Sequence, residues 1–105
     1  MKLPRFSGKP KRRKLLAIRR VSGESMLPTL PPGKIVIATG LHGGLRKEDV
    51  VIVHHRGLEK IKRIQQIGGG RLFVLGDNAA RSTDSHVFGW LDVGTVVGKV
   101  IWPRV

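Results

Sequence analysis

Hydrophobic positions in this chain fall in short runs that have the length and composition of β-strands. Five runs are rich in apolar and β-branched residues and are bounded largely by glycine, proline or polar residues, which is typical of strands joined by tight turns. They cover residues 34–39, 49–54, 58–67, 71–75 and 95–102. No segment keeps an apolar period of 3.6 residues, apart from one turn after Ser25. The pattern therefore predicts a small all-β domain, built as a coiled sheet or partial barrel.

One glycine, Gly98, lies inside the last of these runs. A glycine within a strand weakens it, unless the backbone bulges there or another chain segment approaches closely. We therefore expect a bulge or a close backbone contact at this position.

The 105 residues suffice for one domain. Lys and Arg number 20 against seven Asp and Glu, and nine of these cations precede the first acid, Glu24. We assign residues 1–20 to a basic tail without regular structure and residues 21–105 to a single domain, with ordered structure expected to begin between Leu15 and Val21. Such a tail attracts anionic surfaces, either nucleic acid or membrane headgroups, or serves only as a solubilising arm.

Composition excludes several classes of protein. The chain has no cysteine, which rules out disulfide scaffolds, cysteine-ligated metals and cysteine nucleophiles. No apolar run has the roughly 18 residues of a membrane-spanning helix, and the basic start lacks the apolar stretch of a secretory signal. The expected location is the cytoplasm or the periphery of a membrane.

The first segment with unusual chemistry is Ser22–Leu30. Gly23 lets the backbone approach another group closely, and Pro28 stiffens the segment. If residues 26–30 form a helical turn, the Ser25 amide lies near its positive end and can stabilise an anion. Taken alone, a serine between glycine and proline also fits an ordinary turn or helix cap.

The second segment, residues 60–64, places cations inside a strand with apolar ends. Strand alternation puts Lys60 and Lys62 on one face, which fits a solvated face as well as a site. If one lysine instead enters an apolar cleft, burial disfavours its charged form and lowers its pKa from about 10.4. A pKa near 8 would need roughly 3 kcal/mol of desolvation.

The third segment, residues 76–89, is dense in short polar side chains that bond backbone groups and fix elaborate loops. By itself it also fits a plain Asx-rich turn. The three segments together, in this order, resemble the type I signal peptidase family, whose catalytic core is shared by SOS-response repressors. The resemblance covers residues 21–102 and rests on Ser-Met-Leu-Pro-Thr-Leu, on Lys-Arg after an apolar strand, and on Gly-Asp-Asn with Ser-Thr-Asp-Ser.

The resemblance implies a serine endopeptidase with a Ser–Lys dyad, in which Ser25 is the nucleophile and Lys62 the general base. It implies that the Ser25 amide holds the oxyanion and that Ser82 orients the lysine amine. The remaining matched positions shape the nucleophile turn (Gly23, Met26, Pro28) or the loop that braces the site (Gly76, Asp77, Asn78, Asp84, Ser85). No cofactor and no metal are expected.

The chain also departs from the family pattern. Gly23 stands where some relatives carry a hydroxyl that helps to hold the oxyanion, and His86 stands where the family commonly has an arginine paired with the loop aspartate. His86 makes that brace weaker and dependent on pH. Membrane signal peptidases carry one or more spans before the nucleophile, and larger members carry an inserted second domain; we expect neither in this chain.

The family implies a polypeptide substrate with small residues beside the cleaved bond. Two substrate classes fit. The first is secretory signal peptides, with residues 2–20 holding the enzyme at an anionic membrane or an anchored partner. The second is the precursor of nickel-type superoxide dismutase, because this chain also resembles a short, anchor-less branch of the family that is associated with maturing that enzyme. The alternative from another class is a non-enzymatic basic β-domain whose N-terminal tail binds nucleic acid or an anionic surface; for the peptidase itself, nucleic acid is not an expected partner. His42, His54 and His55 suggest a metal site only weakly, because adjacent residues of a strand point to opposite faces.

Overall fold

The computed structural model describes residues 15–41 and 44–105. Its strands form one seven-stranded antiparallel sheet, in the order β1-β2-β7-β3-β4-β5-β6. The sheet is open, and the predicted all-β class is confirmed. The strands are β1 (Ala17–Arg20), β2 (Ile35–Thr39), β3 (Val50–His55), β4 (Leu58–Gly68), β5 (Arg71–Leu75), β6 (Leu91–Asp92) and β7 (Val96–Trp102).

The five strands predicted from the hydrophobic pattern correspond to β2, β3, β4, β5 and β7, each within one residue at either end. The pattern missed β1, which lies within the range 1–20 assigned to the basic tail, so the sheet begins at Ala17. The rest of that tail, residues 1–14, lies outside the described residues. The pattern also missed β6, which has two residues, and the single-turn helix α1 (Ser85–Phe88).

Apolar residues of β3 alternate between two clusters of buried side chains. Val50 and Ile52 belong to a cluster that also contains Met26 and Leu30 from the segment after β1. Val51 and Val53 belong to the opposite cluster, with residues of β4, β5 and the start of β7. Because β3 is buried on both sides, its sequence reads as a continuous apolar run.

Gly98 is needed because β2 crosses close to β7. A Cβ on Gly98 would lie 3.0 Å from the carbonyl oxygen of Thr39, and the pairing of β7 shifts register both with β2 and with β3. Of the two alternatives expected at Gly98, the structure shows both: a close backbone approach and an irregular strand pairing.

The sheet coils so that β1 and β4 come together although three strands separate them in the sheet order. The contact is an ion pair between Arg19 of β1 and Glu59 of β4. β5 pairs with β4 only from Arg63 to Gly68, so β5 does not extend alongside residues 58–62 of β4. Coiling thus leaves a cleft between β1 and the part of β4 that β5 does not reach.

In the described ranges no helix has the length and apolar character that crossing a membrane requires.

Candidate active site

The segment after β1 folds into a turn that places Ser25 at the cleft. Leu27 and Leu30 donate backbone hydrogen bonds to Glu24 and Met26, at 3.2 and 2.8 Å. Met26 and Leu30 are buried in the core and anchor the turn, whereas Ser25 is half-buried. The expected helical turn over residues 26–30 is this hydrogen-bonded turn and continues into no helix. Gly23 has a φ of +80°, a conformation that suits glycine, and Pro28 is exposed in the turn.

Lys62 lies in the middle of β4 and is buried, with 3% of its surface exposed. Its Nζ donates a hydrogen bond to Ser82 Oγ at 3.0 Å. Burial lowers the pKa of the Lys62 amine, the nearby Asp84 carboxylate partly offsets this, and the charge on Lys60 lowers it further. Of the two lysines that strand alternation placed on one face, Lys62 therefore has the environment that favours a neutral amine.

Ser82 connects Lys62 to Asp84 in the loop after β5. Its hydroxyl accepts hydrogen bonds from Lys62 and from the Gly76 amide (3.1 Å) and donates to Asp84 Oδ2 at 2.8 Å. Asp84 also accepts from the amides of Gly76 (3.2 Å) and His86 (3.1 Å), the second as the N-cap of α1. Burial alone would raise the pKa of Asp84, but these hydrogen bonds outweigh it and hold the pKa below its usual value.

The loop is joined to the nucleophile turn by contacts that leave no room at Gly76. A Cβ on Gly76 would lie 2.6 Å from the Ser25 carbonyl oxygen and would overlap the Ser82 side chain. The Asn78 amide donates to that same carbonyl at 2.8 Å, and its side chain donates to the Glu24 carbonyl at 3.0 Å. Ser25 and Ser82 are therefore held in a fixed relation through the backbone of residues 76–78.

Asp77 is the centre of a second group of contacts beside the site. It accepts two hydrogen bonds from Arg63, at 3.0 and 2.9 Å, and one from the Thr29 hydroxyl at 2.6 Å. The Arg63 bonds lower the pKa of Asp77, and the same bonds raise the pKa of Arg63. Arg63 also donates to the carbonyls of Glu48 and Val105. Thr29, Arg63 and Asp77 thus tie the nucleophile turn, β4 and the loop together.

The sequence analysis named Asp77 as a bracing residue but missed its two partners. Arg63 is adjacent to Lys62 and sits between the buried positions of β4, which is an unusual place for a charge. That position was the available signal, since a cation inside an apolar strand needs a partner.

The other predicted loop residues support the site from behind. Ser85 is buried, and its hydroxyl accepts a hydrogen bond from the Val74 amide of β5 at 2.8 Å. His86 is exposed, with Nδ1 3.5 Å from Asp84 Oδ1 and its ring edge-on to Phe73. His86, which stands where the resemblance implies an arginine, therefore makes only a long and exposed contact with Asp84.

The two proposed catalytic side chains line the same cleft, which has a volume of about 370 Å³. Arg19, Arg20 and Val21 form one wall, and residues 58–62 of β4 form the other. Ser25 Oγ has no hydrogen-bond partner within residues 15–41 and 44–105. A hydroxyl in this position is free to reach a peptide in the cleft.

No group of three or more His, Asp or Glu side chains in the described part of the chain is placed to hold a metal ion. His54 is exposed, and His55 stacks on Phe88 with ring centroids 4.4 Å apart. Burial of the His55 ring, together with the charges on Lys60 and Arg56, lowers the pKa of its imidazole. His42 lies outside the described residues.

Comparison with known proteins gives two matches. A family model described as "Signal peptidase, peptidase S26" matches residues 55–104, which include Lys62 and the whole loop, while Ser25 precedes the matched region. The chain is also similar to signal peptidase I of Bacillus caldolyticus, with 27% identity over an alignment of 141 residues that covers 79% of this chain and 78% of that protein. The alignment is longer than the chain, so the relative carries insertions that have no counterpart here.

Proposed function

The chain belongs to the type I signal peptidase family of serine peptidases, and from this premise we propose that it is an endopeptidase with a Ser25–Lys62 dyad. The observation that carries the proposal is the environment of Lys62, a buried amine with a lowered pKa in the cleft that Ser25 also lines. A lysine can act as a general base only when it is neutral, and burial is the means by which proteins keep it so.

In the proposed reaction, Lys62 takes the proton of the Ser25 hydroxyl while Oγ attacks the carbonyl carbon of the peptide bond. The resulting tetrahedral intermediate collapses when protonated Lys62 gives its proton to the leaving amine. This step leaves an ester between Ser25 and the amino-terminal part of the substrate. Neutral Lys62 then deprotonates a water molecule, whose attack releases the carboxylate product and restores the Ser25 hydroxyl.

Ser82 and Asp84 act as positioning residues in this scheme. The Ser82 hydroxyl donates to Asp84, so its lone pairs face Lys62 and the Gly76 amide. This arrangement fixes the Lys62 amine in one direction. The Asp84 carboxylate also keeps the pKa of Lys62 from falling further, so that the amine retains enough basicity to take a proton.

The oxyanion of the intermediate is assigned to the Ser25 backbone amide. This N–H donates no hydrogen bond within the described residues, so it is available to a developing negative charge. Gly23, two residues earlier, offers no hydroxyl for a second donor.

The substrate is proposed to bind as an extended strand along residues 58–62 of β4. That stretch forms one wall of the cleft, and β5 pairs with β4 only from Arg63 onward, so a peptide in the cleft would lie alongside β4 in the direction of a strand. Main-chain pairing would supply affinity without regard to sequence, and side chains at the cleft would supply selectivity.

Two substrates remain candidates within this proposal: a secretory signal peptide and the amino-terminal extension of a nickel-type superoxide dismutase precursor. The second is favoured by the motifs that resemble the short branch of the family, Ser-Met-Leu-Pro-Thr-Leu and Ser-Thr-Asp-Ser. Incubating the purified protein with each precursor, and sequencing the new amino terminus, distinguishes them.

The dyad is tested with the same assay on Ser25→Ala and Lys62→Met, with Lys47→Met as the control for removing an exposed lysine. We expect both dyad variants to lose at least about a thousandfold in rate and the control to match the unmodified protein. If the Ser25→Ala and Lys62→Met variants cleave as fast as the unmodified protein, the proposed function is wrong and the chain is better described as a basic binding domain.

A further inference from the structure

A second lysine, Lys60, lies beside Lys62 on the same face of β4. Two residues separate the positions, so their Cα atoms are roughly 6.6 Å apart along the strand. Both side chains line the cleft, and the residues directly opposite them on β3 are the fully buried Val53 and Val51. A charge on Lys60 therefore acts on Lys62 past apolar neighbours, where charges are screened less than they are in water.

The ring of Phe88 holds the Lys60 side chain near the site. Lys60 Nζ lies over that ring, 5.6 Å from its centroid, within the range in which an ammonium is attracted to an aromatic face. Phe88 is half-buried, packs against the apolar cluster that contains Val51 and Val53, and contacts the ring of His55 on β3. The ring is thus fixed by its own packing and can keep a long, flexible side chain from extending into solvent.

The turn that carries Phe88 also carries the other charged group that acts on Lys62. Asp84 is the N-cap of α1, and the Phe88 N–H donates a hydrogen bond to the Asp84 carbonyl at 3.0 Å. The Asp84 carboxylate favours a protonated Lys62 amine, whereas the charge on Lys60 disfavours it. One turn of the chain therefore positions two opposing charges, one directly and one through the Phe88 ring.

Other titratable side chains contact these groups or line the same cleft: Arg19, Arg20, His55, Glu59 and His86. His86 Nδ1 lies 3.5 Å from Asp84 Oδ1, and Arg19 is paired with Glu59. A substitution of Lys60 leaves all of them in place. An effect of Lys60→Met that Lys60→Arg does not share therefore follows the charge of Lys60 itself.

Resting on the proposed function, we propose that Lys60 is a positioning residue for the reaction: its ammonium, held over the Phe88 ring, favours the neutral Lys62 amine that takes the Ser25 proton. In this role Lys60 acts through Lys62 and touches no reacting atom. Asp84 and Lys60 oppose each other, so the pH at which the enzyme becomes active depends on both.

The proposal is tested by measuring kcat/KM from about pH 6 to about pH 10, on a peptide that spans the cleavage site of the better precursor. Lys60→Met removes the charge, Lys60→Arg keeps it, and Phe88→Leu removes the ring but keeps an apolar side chain. Lys47→Met is the matched control, because Lys47 is exposed and does not line the cleft.

We expect Lys60→Met to move the rising limb of the profile to higher pH by about 0.5 to 1 unit, because the Lys62 amine is easier to protonate without a nearby cation. Activity near neutral pH should fall about three- to tenfold, and the loss should shrink toward the alkaline end. Lys60→Arg should return the limb to its position in the unmodified protein, since an arginine is also attracted to an aromatic ring. Phe88→Leu should move the limb in the same direction as Lys60→Met but less, and Lys47→Met should not move it.

A second measurement needs no cleavage. Folding lowers the pKa of Lys62, so stability rises with pH between the folded pKa and about 10.5, and Lys62→Met removes this rise. Urea unfolding across this pH range is measured with and without Lys62→Met, both in the unmodified protein and in Lys60→Met. In Lys60→Met the rise that depends on Lys62 should begin about 0.5 to 1 pH unit higher and should be smaller in total.

A limb that stays in place in Lys60→Met, a limb that Lys60→Arg fails to restore, or an equal loss of activity at every pH would each overturn the role of Lys60. A limb that Phe88→Leu leaves in place overturns the part assigned to the ring. Any of these results, with cleavage that still depends on Ser25 and Lys62, leaves the proposed function standing. A later onset of the rise in stability in Lys60→Met, without cleavage of any peptide by the unmodified protein, supports the effect of Lys60 on Lys62 and refutes the proposed function.

Discussion

Replacing Gly76 by alanine should damage the site more than the same replacement at any other glycine of the described residues, because the added Cβ meets the closest atoms there. The added Cβ would lie 2.6 Å from the Ser25 carbonyl oxygen, whereas ordinary contacts begin at 3.4 Å, so the two segments must separate by about 0.8 Å. The same Cβ overlaps Ser82, whose hydroxyl bonds Lys62 and Asp84. Both segments are held by the core, so neither can move freely.

The expected cost follows from these contacts. Overpacking a close contact costs about 1–3 kcal/mol. Disturbing the hydrogen bond between the lysine amine and Ser82 adds roughly 1 kcal/mol. We therefore expect Gly76→Ala to lower the free energy of unfolding by about 2–4 kcal/mol. In the proposed reaction it should also lower kcat/KM at least about tenfold, because Lys62 loses its fixed direction.

Gly94→Ala provides the matched control. Its Cβ would meet only Asp92 Oδ1, at 3.9 Å, and its backbone conformation accepts alanine. This variant should be as stable as the unmodified protein or slightly more so, since alanine has less freedom in the unfolded chain. Urea unfolding and kcat/KM are measured for both variants. If Gly76→Ala matches Gly94→Ala in both measurements, the close packing of the loop against the nucleophile turn is refuted.

Three further predictions concern charged groups at the site. The pKa of Lys62 is lowered by folding, so the unfolded chain binds more protons and stability rises with pH between the folded pKa and about 10.5; Lys62→Met should remove this slope and raise Tm at pH 7. The pKa of Asp77 is also lowered, so the stability that this carboxylate contributes is present above about pH 4 and is lost as pH falls. Asp77→Asn should lower the free energy of unfolding by roughly 1–3 kcal/mol at pH 7 and should weaken the loss of stability in acid, both measured by urea unfolding. His86→Arg places a permanent cation beside Asp84, which offsets the carboxylate that raises the pKa of Lys62. The limb of the pH–activity profile on which activity rises, as Lys62 loses its proton, should therefore move to lower pH; His86→Gln, assayed in parallel, should not move it, and an equal shift in both variants would contradict this reasoning.

The sequence predicts the strands well because each of them is encoded locally. The runs that form β3 and β5 are bounded by turn residues and have the β-branched or apolar composition of buried strands. β1 could not be found in this way, since its four residues, Ala-Ile-Arg-Arg, show no alternation of apolar and polar types and follow a highly charged region. Pairing with β2, from Ala17 opposite Ala38 to Arg20 opposite Ile35, is what makes it a strand.

The site was predictable to a different extent. Ser25, Lys62 and Ser82 were named from the resemblance, whereas the contacts that link them depend on the register of distant strands. The ion pair of Arg19 with Glu59 joins residues 40 positions apart, and the Thr29 bond to Asp77 joins residues 48 positions apart. No local pattern encodes such a meeting, because charged residues at these spacings have many alternative partners in an unfolded chain.

The hydrogen bond that the Asn78 backbone N–H donates to the Ser25 carbonyl has a consequence for synthesis of the protein. The turn that carries the serine leaves the ribosome more than 50 residues before the loop that fixes it is complete. Until then the growing chain has a hydroxyl and an amine but nothing to orient either of them. If the proposed chemistry holds, the nascent polypeptide cannot cleave its neighbours or itself. It becomes able to hydrolyse a peptide bond only when the loop that contains Asn78 packs against the turn that contains Ser25.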